Sequence, residues 1–135
     1  QGVTSSISAA ASLGAPLMHD FCQISLSDLM TDWSLIEKRL ELASMADFVI
    51  CIYNPKSKGR PNHLRRAFEI MQAHKPATTP VGIVKNAGRI NEEKYIRTLE
   101  TMDFEVCDMS TMIIVGNKET YIDGDKIITP RGYGI

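Results

Sequence analysis

Three stretches of this sequence group residue types that can do chemistry. His19-Asp20 sets an imidazole beside a carboxylate, a pairing suited to proton transfer near neutral pH. Asn54-Pro55-Lys56-Ser57-Lys58-Gly59-Arg60 places a bifunctional amide ahead of three cations able to meet carboxylates. Lys85-Asn86-Ala87-Gly88-Arg89 puts small residues where a ligand can approach the backbone, whose N–H and C=O groups can read a base without side chains. Each stretch has a plainer reading beside it. Asn-Pro and Ala-Gly are common in solvated turns, and a lone His-Asp pair is also a loop histidine next to a capping aspartate.

Other chemistries lack their signatures. No G-x-x-x-x-G-K-[ST] and no G-x-G-x-x-G occurs, so the glycines build no phosphate loop. No G-x-S-x-G elbow supports a serine nucleophile. Cys22, Cys51 and Cys107 are far apart and odd in number, which argues for reduced, mostly buried thiols in a cytoplasmic protein and against a metal site. His63 and His74 are expected on the surface of a helix, and the seven methionines in the core.

The elements that must position these stretches follow from hydrophobic spacing. Residues 4–13 read as a Ser- and Ala-rich helix, capped near its start and ended by Gly14 and Pro16. Residues 19–27 alternate like a strand. Residues 33–46 follow helical spacing, with Leu35, Ile36, Leu40 and Ala43 on one face. Residues 47–53 form a continuous apolar run, as a strand buried on both faces does, typically a central parallel one. A second helix covers 63–74, with Leu64, Ala67, Phe68 and Met71 inward. Strands follow at 80–84 and 111–115, residues 93–102 fit either element, and Asp123-Gly124-Asp125 reads as a hairpin turn.

Strands alternating with helices and closing on a hairpin imply an α/β fold with a mixed sheet, parallel in its middle and antiparallel near its end. Ligands of such sheets sit outside the carboxyl ends of the strands. The tips available are Tyr53-Asn54-Pro55, Lys85-Asn86-Ala87-Gly88 and, at the start of its strand, Ser110-Thr111-Met112.

The chain has 135 residues, 15 of them basic and 16 acidic, for a net charge of -1. That length fits one domain, or part of a two-domain protein. The charge balance gives no electrostatic case for nucleic acid or an anionic membrane, and no apolar run approaches the roughly 18 residues a spanning helix needs. The opening residues lack a basic stretch and an initiator Met, so they read as the middle of a longer protein rather than as a signal peptide.

The ordered motifs go further. The sequence resembles the tetrapyrrole methylases almost from end to end. The likeness is carried by Gly2-Val3-Thr4-Ser5, Leu13-Gly14-Ala15-Pro16-Leu17, His19-Asp20-Phe21-Cys22 and Ile24-Ser25-Leu26-Ser27-Asp28-Leu29, then by Tyr53-Asn54-Pro55-Lys56-Ser57, Asn86-Ala87-Gly88-Arg89, Ile114-Val115-Gly116-Asn117 and Thr129-Pro130-Arg131-Gly132-Tyr133. The Tyr-Asn-Pro and Thr-Pro-Arg-Gly-Tyr patterns resemble the branch that methylates carbon 17 of a corrin precursor and contracts its ring. Gln1 and Asp32 depart from that branch, which favours proline at both places.

The resemblance implies two α/β domains with S-adenosylmethionine folded between them and S-adenosylhomocysteine as product. Residues 1–17 would enter from an amino-terminal domain whose Gly-rich loops are not in this sequence, and residues 18–135 would form the carboxy-terminal α/β domain. It implies cofactor contacts at Thr4, Ser5, Asn54, Ala87, Thr111 and Met112, and a tetrapyrrole substrate whose carboxylates meet Lys56, Lys58 and Arg60. His19 or Asp20 would serve the proton transfer that ring contraction requires. Members of the family are usually homodimers.

Overall fold

The structure, a computed structural model, describes residues 2–55 and 62–131, with side chains from residue 6 onward. It opens on α1 (Gly2–Leu13), whose face of Ser6, Ala9 and Leu13 is buried at helical spacing. Gly14, at φ 121°, turns the chain into the short β1 (Gly14–Ala15). Then come β2 (Phe21–Ser25), α2 (Trp33–Met45), β3 (Val49–Tyr53), α3 (His63–Gln72), β4 (Pro80–Lys85), β5 (Glu93–Thr98), β6 (Thr111–Val115), β7 (Tyr121–Asp123) and β8 (Lys126–Ile128).

Five strands form the main sheet in the order β2-β3-β6-β4-β5. β2 and β3 pair in parallel, Phe21 opposite Val49 and Ser25 opposite Tyr53. β6 pairs antiparallel with both β3 and β4, and β5 pairs antiparallel with β4. The sheet is mixed, as expected, but its middle is antiparallel and its one parallel pair lies at an edge. The crossover through α3 leaves a gap between β3 and β4, which run the same way, and β6 returns into that gap from the opposite direction. The ambiguous segment after residue 92 is a strand because all six residues of β5 find partners along β4. The expected hairpin forms at Gly124, φ 62°, and β8 then pairs in parallel with β1 in a separate three-stranded sheet.

Both faces of the main sheet are covered. On one, α2 and α3 bring Ile36, Leu40, Leu64, Phe68 and Met71 against Ile50, Ile52, Ile83 and Ile113. On the other, α1 sets Ala9 and Leu13 against Val49, Cys51, Val84, Met112 and Ile114. Leu35 does not join the α2 face. It is 44% exposed, and Ser44, two turns beyond Ile36, completes the buried stripe instead. α2 ends in a Schellman turn: Phe48 N–H bonds to Ala43 O and Asp47 N–H to Ser44 O, with Asp47 at φ 59° where glycine is usual.

Candidate functional site

Because β2, β3 and β4 share a direction and β6 opposes them, one edge of the sheet collects the carboxyl ends of three strands and the amino end of the fourth. Asn54, Asn86-Ala87-Gly88 and Ser110-Thr111-Met112 therefore meet along three neighbouring strands, β3, β4 and β6. At about 4.8 Å per strand, the loops after β3 and β4 stand roughly 10 Å apart, a span suited to a nucleoside-sized ligand.

α1 brings a further part to that edge. Ser6 Oγ donates to Gln23 Oε1 at 2.5 Å and lies 3.6 Å from Met112 Sδ, at the start of β6. Leu13 packs on Gly82, near the far end of β4. The helix thus crosses the face of the sheet from β2 and β6 toward β4 and the β4–β5 loop. Thr4 and Ser5 fall in its first turn, at the positive end of the helix dipole; their side chains lie outside the described residues.

Asn54 is exposed at φ 52°, a left-handed conformation that asparagine tolerates well. Its Nδ2 donates to Ser25 Oγ at 3.0 Å, which leaves Oδ1 without a described partner. Asn86, at φ 54°, donates its N–H to Ser110 O at 3.3 Å and accepts from Arg89 N–H at 3.0 Å. Ala87 is half-buried against the α1-side core. Neither its N–H nor its C=O is taken by a described residue.

Thr111 is buried, and its hydroxyl is already engaged. It accepts from Asp108 N–H at 2.8 Å and donates to Asp108 Oδ1 at 3.1 Å. Asp108 also receives both the N–H and the hydroxyl of Ser110, and Lys85 Nζ lies 3.3 Å from its other oxygen. Partial burial opposes its ionisation, yet these donors together hold the carboxyl down to about 2. The N–H of Thr111 is taken as well, by Asp108 O at 3.2 Å, so what Thr111 can offer a ligand is its carbonyl and its methyl group. Met112, 3% exposed, contributes packing under the same edge.

His19 and Asp20 are exposed and precede β2, so they lie at the other edge of the sheet. Five residues of strand, about 16 Å at 3.3 Å per residue, separate them from Asn54. The structure does not bring them to the remaining candidates. Lys56, Lys58 and Arg60 lie outside the described residues. His74 is exposed, 3.8 Å from Glu41. His63 differs from the expected surface residue. It is half-buried, stacks on Trp33 with centroids 3.7 Å apart and planes at 8°, and sets Nε2 4.0 Å from Asp28. Cys51 is fully buried and carries a free thiol that burial, more than any neighbour, pushes up to about 12. Among the described residues no cluster of three or more metal-ligating side chains occurs.

Sequence reasoning missed Ser25, Asp108 and Glu92 as supports of this edge. Asp108-x-Ser110-Thr111 ahead of a strand is a legible turn pattern. Glu92, which bonds to Gly88 and to Ser12, carries no local signal.

The molecule is an α/β domain that gathers open backbone groups and one asparagine amide at the carboxyl ends of its strands, where α/β proteins take small ligands. It matches the family model of the Tetrapyrrole (Corrin/Porphyrin) Methylases over residues 1–103. The chain belongs to that family. It is 62% identical over 132 residues to the protein named probable cobalt-factor III C(17)-methyltransferase of Salmonella typhimurium, covering 98% of this chain and 55% of that protein. It is 47% identical over 137 residues to the precorrin-3B C(17)-methyltransferase of a Sinorhizobium species, covering 98% and 54%. Its fold matches the crystal structure of the methyltransferase CobJ with a TM-score of 0.88 and 35% identity, over 93% of this chain and 52% of that one. The cobalt precorrin-4 methyltransferase CbiF, at TM-score 0.56 and 20% identity, shares the fold. This chain spans about half the length of these relatives. Among the described residues no helix is long and apolar enough to cross a membrane.

Proposed function

We propose that this chain is the carboxy-terminal α/β domain of an S-adenosylmethionine-dependent methyltransferase. Its reaction is methyl transfer to carbon 17 of precorrin-3B, or of cobalt-factor III, with ring contraction in cobalamin biosynthesis. The observation that carries this reading is the 62% identity to a probable cobalt-factor III C(17)-methyltransferase across nearly the whole chain.

The residues at the tip edge fit the cofactor. The untaken N–H and C=O of Ala87, beside its half-buried methyl, suit the edge of an adenine. Asn54 Oδ1 suits a ribose hydroxyl or an ammonium group. When bound, S-adenosylmethionine supplies an electrophilic methyl group. What the chain must supply is position, since an in-line displacement needs the reacting atoms held about 3 Å apart and no side-chain nucleophile. Asn54, Ala87, Thr111 and Met112, with Thr4 and Ser5 at the head of α1, form this domain's share of that cleft. Lys56, Lys58 and Arg60 would meet the acetate and propionate carboxylates of the macrocycle. The fold lends no support to His19 or Asp20 as the proton-transfer group, and a full-length His19→Ala enzyme that contracts the ring at the normal rate rules that role out.

On this reading residues 1–17 lead in from a preceding domain, the full-length protein is a cytoplasmic homodimer, and neither nucleic acid nor membrane is a partner. The alternatives are a different tetrapyrrole methylase, or a non-catalytic binding or dimerisation module; the net charge of -1 argues against a methylase acting on RNA. The deciding experiment titrates S-adenosylhomocysteine into the full-length protein and into this 135-residue chain. Micromolar binding by the first and near-silence from the second is the expected result. No binding by either sinks the assignment, and equal binding by both makes this domain the whole cofactor site rather than half of it.

A further inference from the structure

Glu92 stands in the hairpin between β4 and β5, exposed, in the same loop as Ala87. Its two carboxylate oxygens bridge two elements. Oε1 accepts the N–H of Gly88 at 2.8 Å. Oε2 accepts the hydroxyl of Ser12 in α1 at 2.5 Å, and Lys94 Nζ donates to Ser12 O at 3.0 Å. The hydroxyl of Ser12 and the N–H of Gly88 hold this carboxyl below the ordinary glutamate range.

Gly88 closes the turn that carries Ala87, at φ 79° where a side chain is strained. Among the described residues, one backbone bond, Asn86 N–H to Ser110 O, ties the start of that turn to β6. Without Glu92 the turn would keep its hydrogen bond on the β6 side and rely on packing contacts alone on its α1 side. The helix it is latched to is the one whose first turn carries Thr4 and Ser5.

We propose that Glu92 is a positioning residue for the cofactor: it latches the Ala87 turn to α1, so that the two elements facing the adenosyl group keep a fixed spacing before the ligand arrives. The inference rests on the S-adenosylmethionine reading above. Its physical basis is preorganisation, in which a loop already in its bound geometry pays no ordering cost on binding.

The test compares S-adenosylhomocysteine binding by the full-length wild-type protein with Glu92→Ala, Glu92→Gln and Ser12→Ala, alongside thermal unfolding and the KM for the tetrapyrrole. Glu92→Ala should weaken binding about five- to tenfold, with the tetrapyrrole KM unchanged. Glu92→Gln keeps an acceptor for Gly88 and offers a donor to Ser12, so it should restore affinity to within about twofold. Ser12→Ala breaks one of the two contacts and should fall between, which keeps the inference open to refutation if the alanine variant folds poorly. Wild-type affinity in Glu92→Ala, or equal weakening in Glu92→Gln, overturns the latch while the methyltransferase reading stands. A lower unfolding midpoint with unchanged affinity makes Glu92 a structural staple and overturns it too. Silence from the wild type removes the reading itself, and the latch with it.

Discussion

Asn54 and Asn86 adopt the same left-handed backbone conformation, φ 52° and 54°, each one residue past the end of a parallel-running core strand. The strands flank β6, so the two turns peel away from the sheet in the same sense and open the edge between them. The two asparagines should separate backbone from amide chemistry. Asn86→Ala removes the short polar side chain that makes the left-handed region tolerable, at a cost of about 1 kcal/mol, whereas Asn86→Gly adds no such strain. Thermal unfolding should show a fall of roughly 3 °C for the first and little change for the second. Asn54→Gly should leave stability nearly intact and weaken S-adenosylhomocysteine binding, because only the amide is lost. Wild-type binding by Asn54→Gly would remove its side chain from the site.

Much of this edge was legible in the sequence. The run before Asn54 and the run before Asn86 read as buried strands because β-branched and apolar residues dominate them, and the loops behind them had to lie at the carboxyl edge. The same rule places residues that precede a strand at the opposite edge, which is where His19 falls. Residue type favoured His19 and strand polarity did not. The insertion of β6 was not legible, because pairing direction depends on what fills a gap between distant strands. Nor was the bond from Glu92 to Ser12, which joins residues 80 apart through one exposed carboxylate.

The spacing of α1 over the sheet depends on Gly82. A β-carbon there would overlap both terminal carbons of Leu13 and come within 3.0 Å of Ile127 Cδ1. Gly82→Ala should therefore push the helix outward and cost about 1–3 kcal/mol. Shortening the partner to Leu13→Val in the same chain should recover part of that loss. A double-mutant cycle in denaturant reads the coupling, and strictly additive losses would mean that the two sites do not meet.

Lys75 should prove the costliest single truncation outside the apolar core. Its ammonium is wholly buried, donating to Phe48 O and Gly116 O at 2.8 Å each and to Asp47 Oδ1 at 3.3 Å. It joins the turn after α2 to the end of β6. Burial works to lower its pKa, and Asp47 works against that. Lys75→Met matches its length but leaves two buried carbonyls and a carboxylate without their donor, at a cost of about 3 kcal/mol or more. A denaturant midpoint equal to that of the wild type would show that water replaces the ammonium without loss.

Acid should loosen the site edge before it unfolds the domain, and Asp108 is the reason. Its carboxyl sits at about 2, against 3.8 for an ordinary aspartate, because Ser110, Thr111 and Lys85 donate to the ionised form. A carboxyl depressed in the folded state binds protons less readily than the unfolded chain does. The stability it adds is complete above about pH 4 and is lost as pH falls toward 2. The side chain is 51% exposed, so solvent screening reduces that stability to about 1 kcal/mol. Asp108→Asn keeps an oxygen for Ser110 and Thr111 but cannot ionise. The stability gap between wild type and variant should therefore narrow by about 0.6 kcal/mol, most of that contribution, between pH 5 and pH 2.5. The ordering of Thr111, followed by amide exchange, should weaken over the same range in the wild type alone. Parallel stability curves for the two proteins would mean that the cluster holds through geometry, with no contribution from the charge.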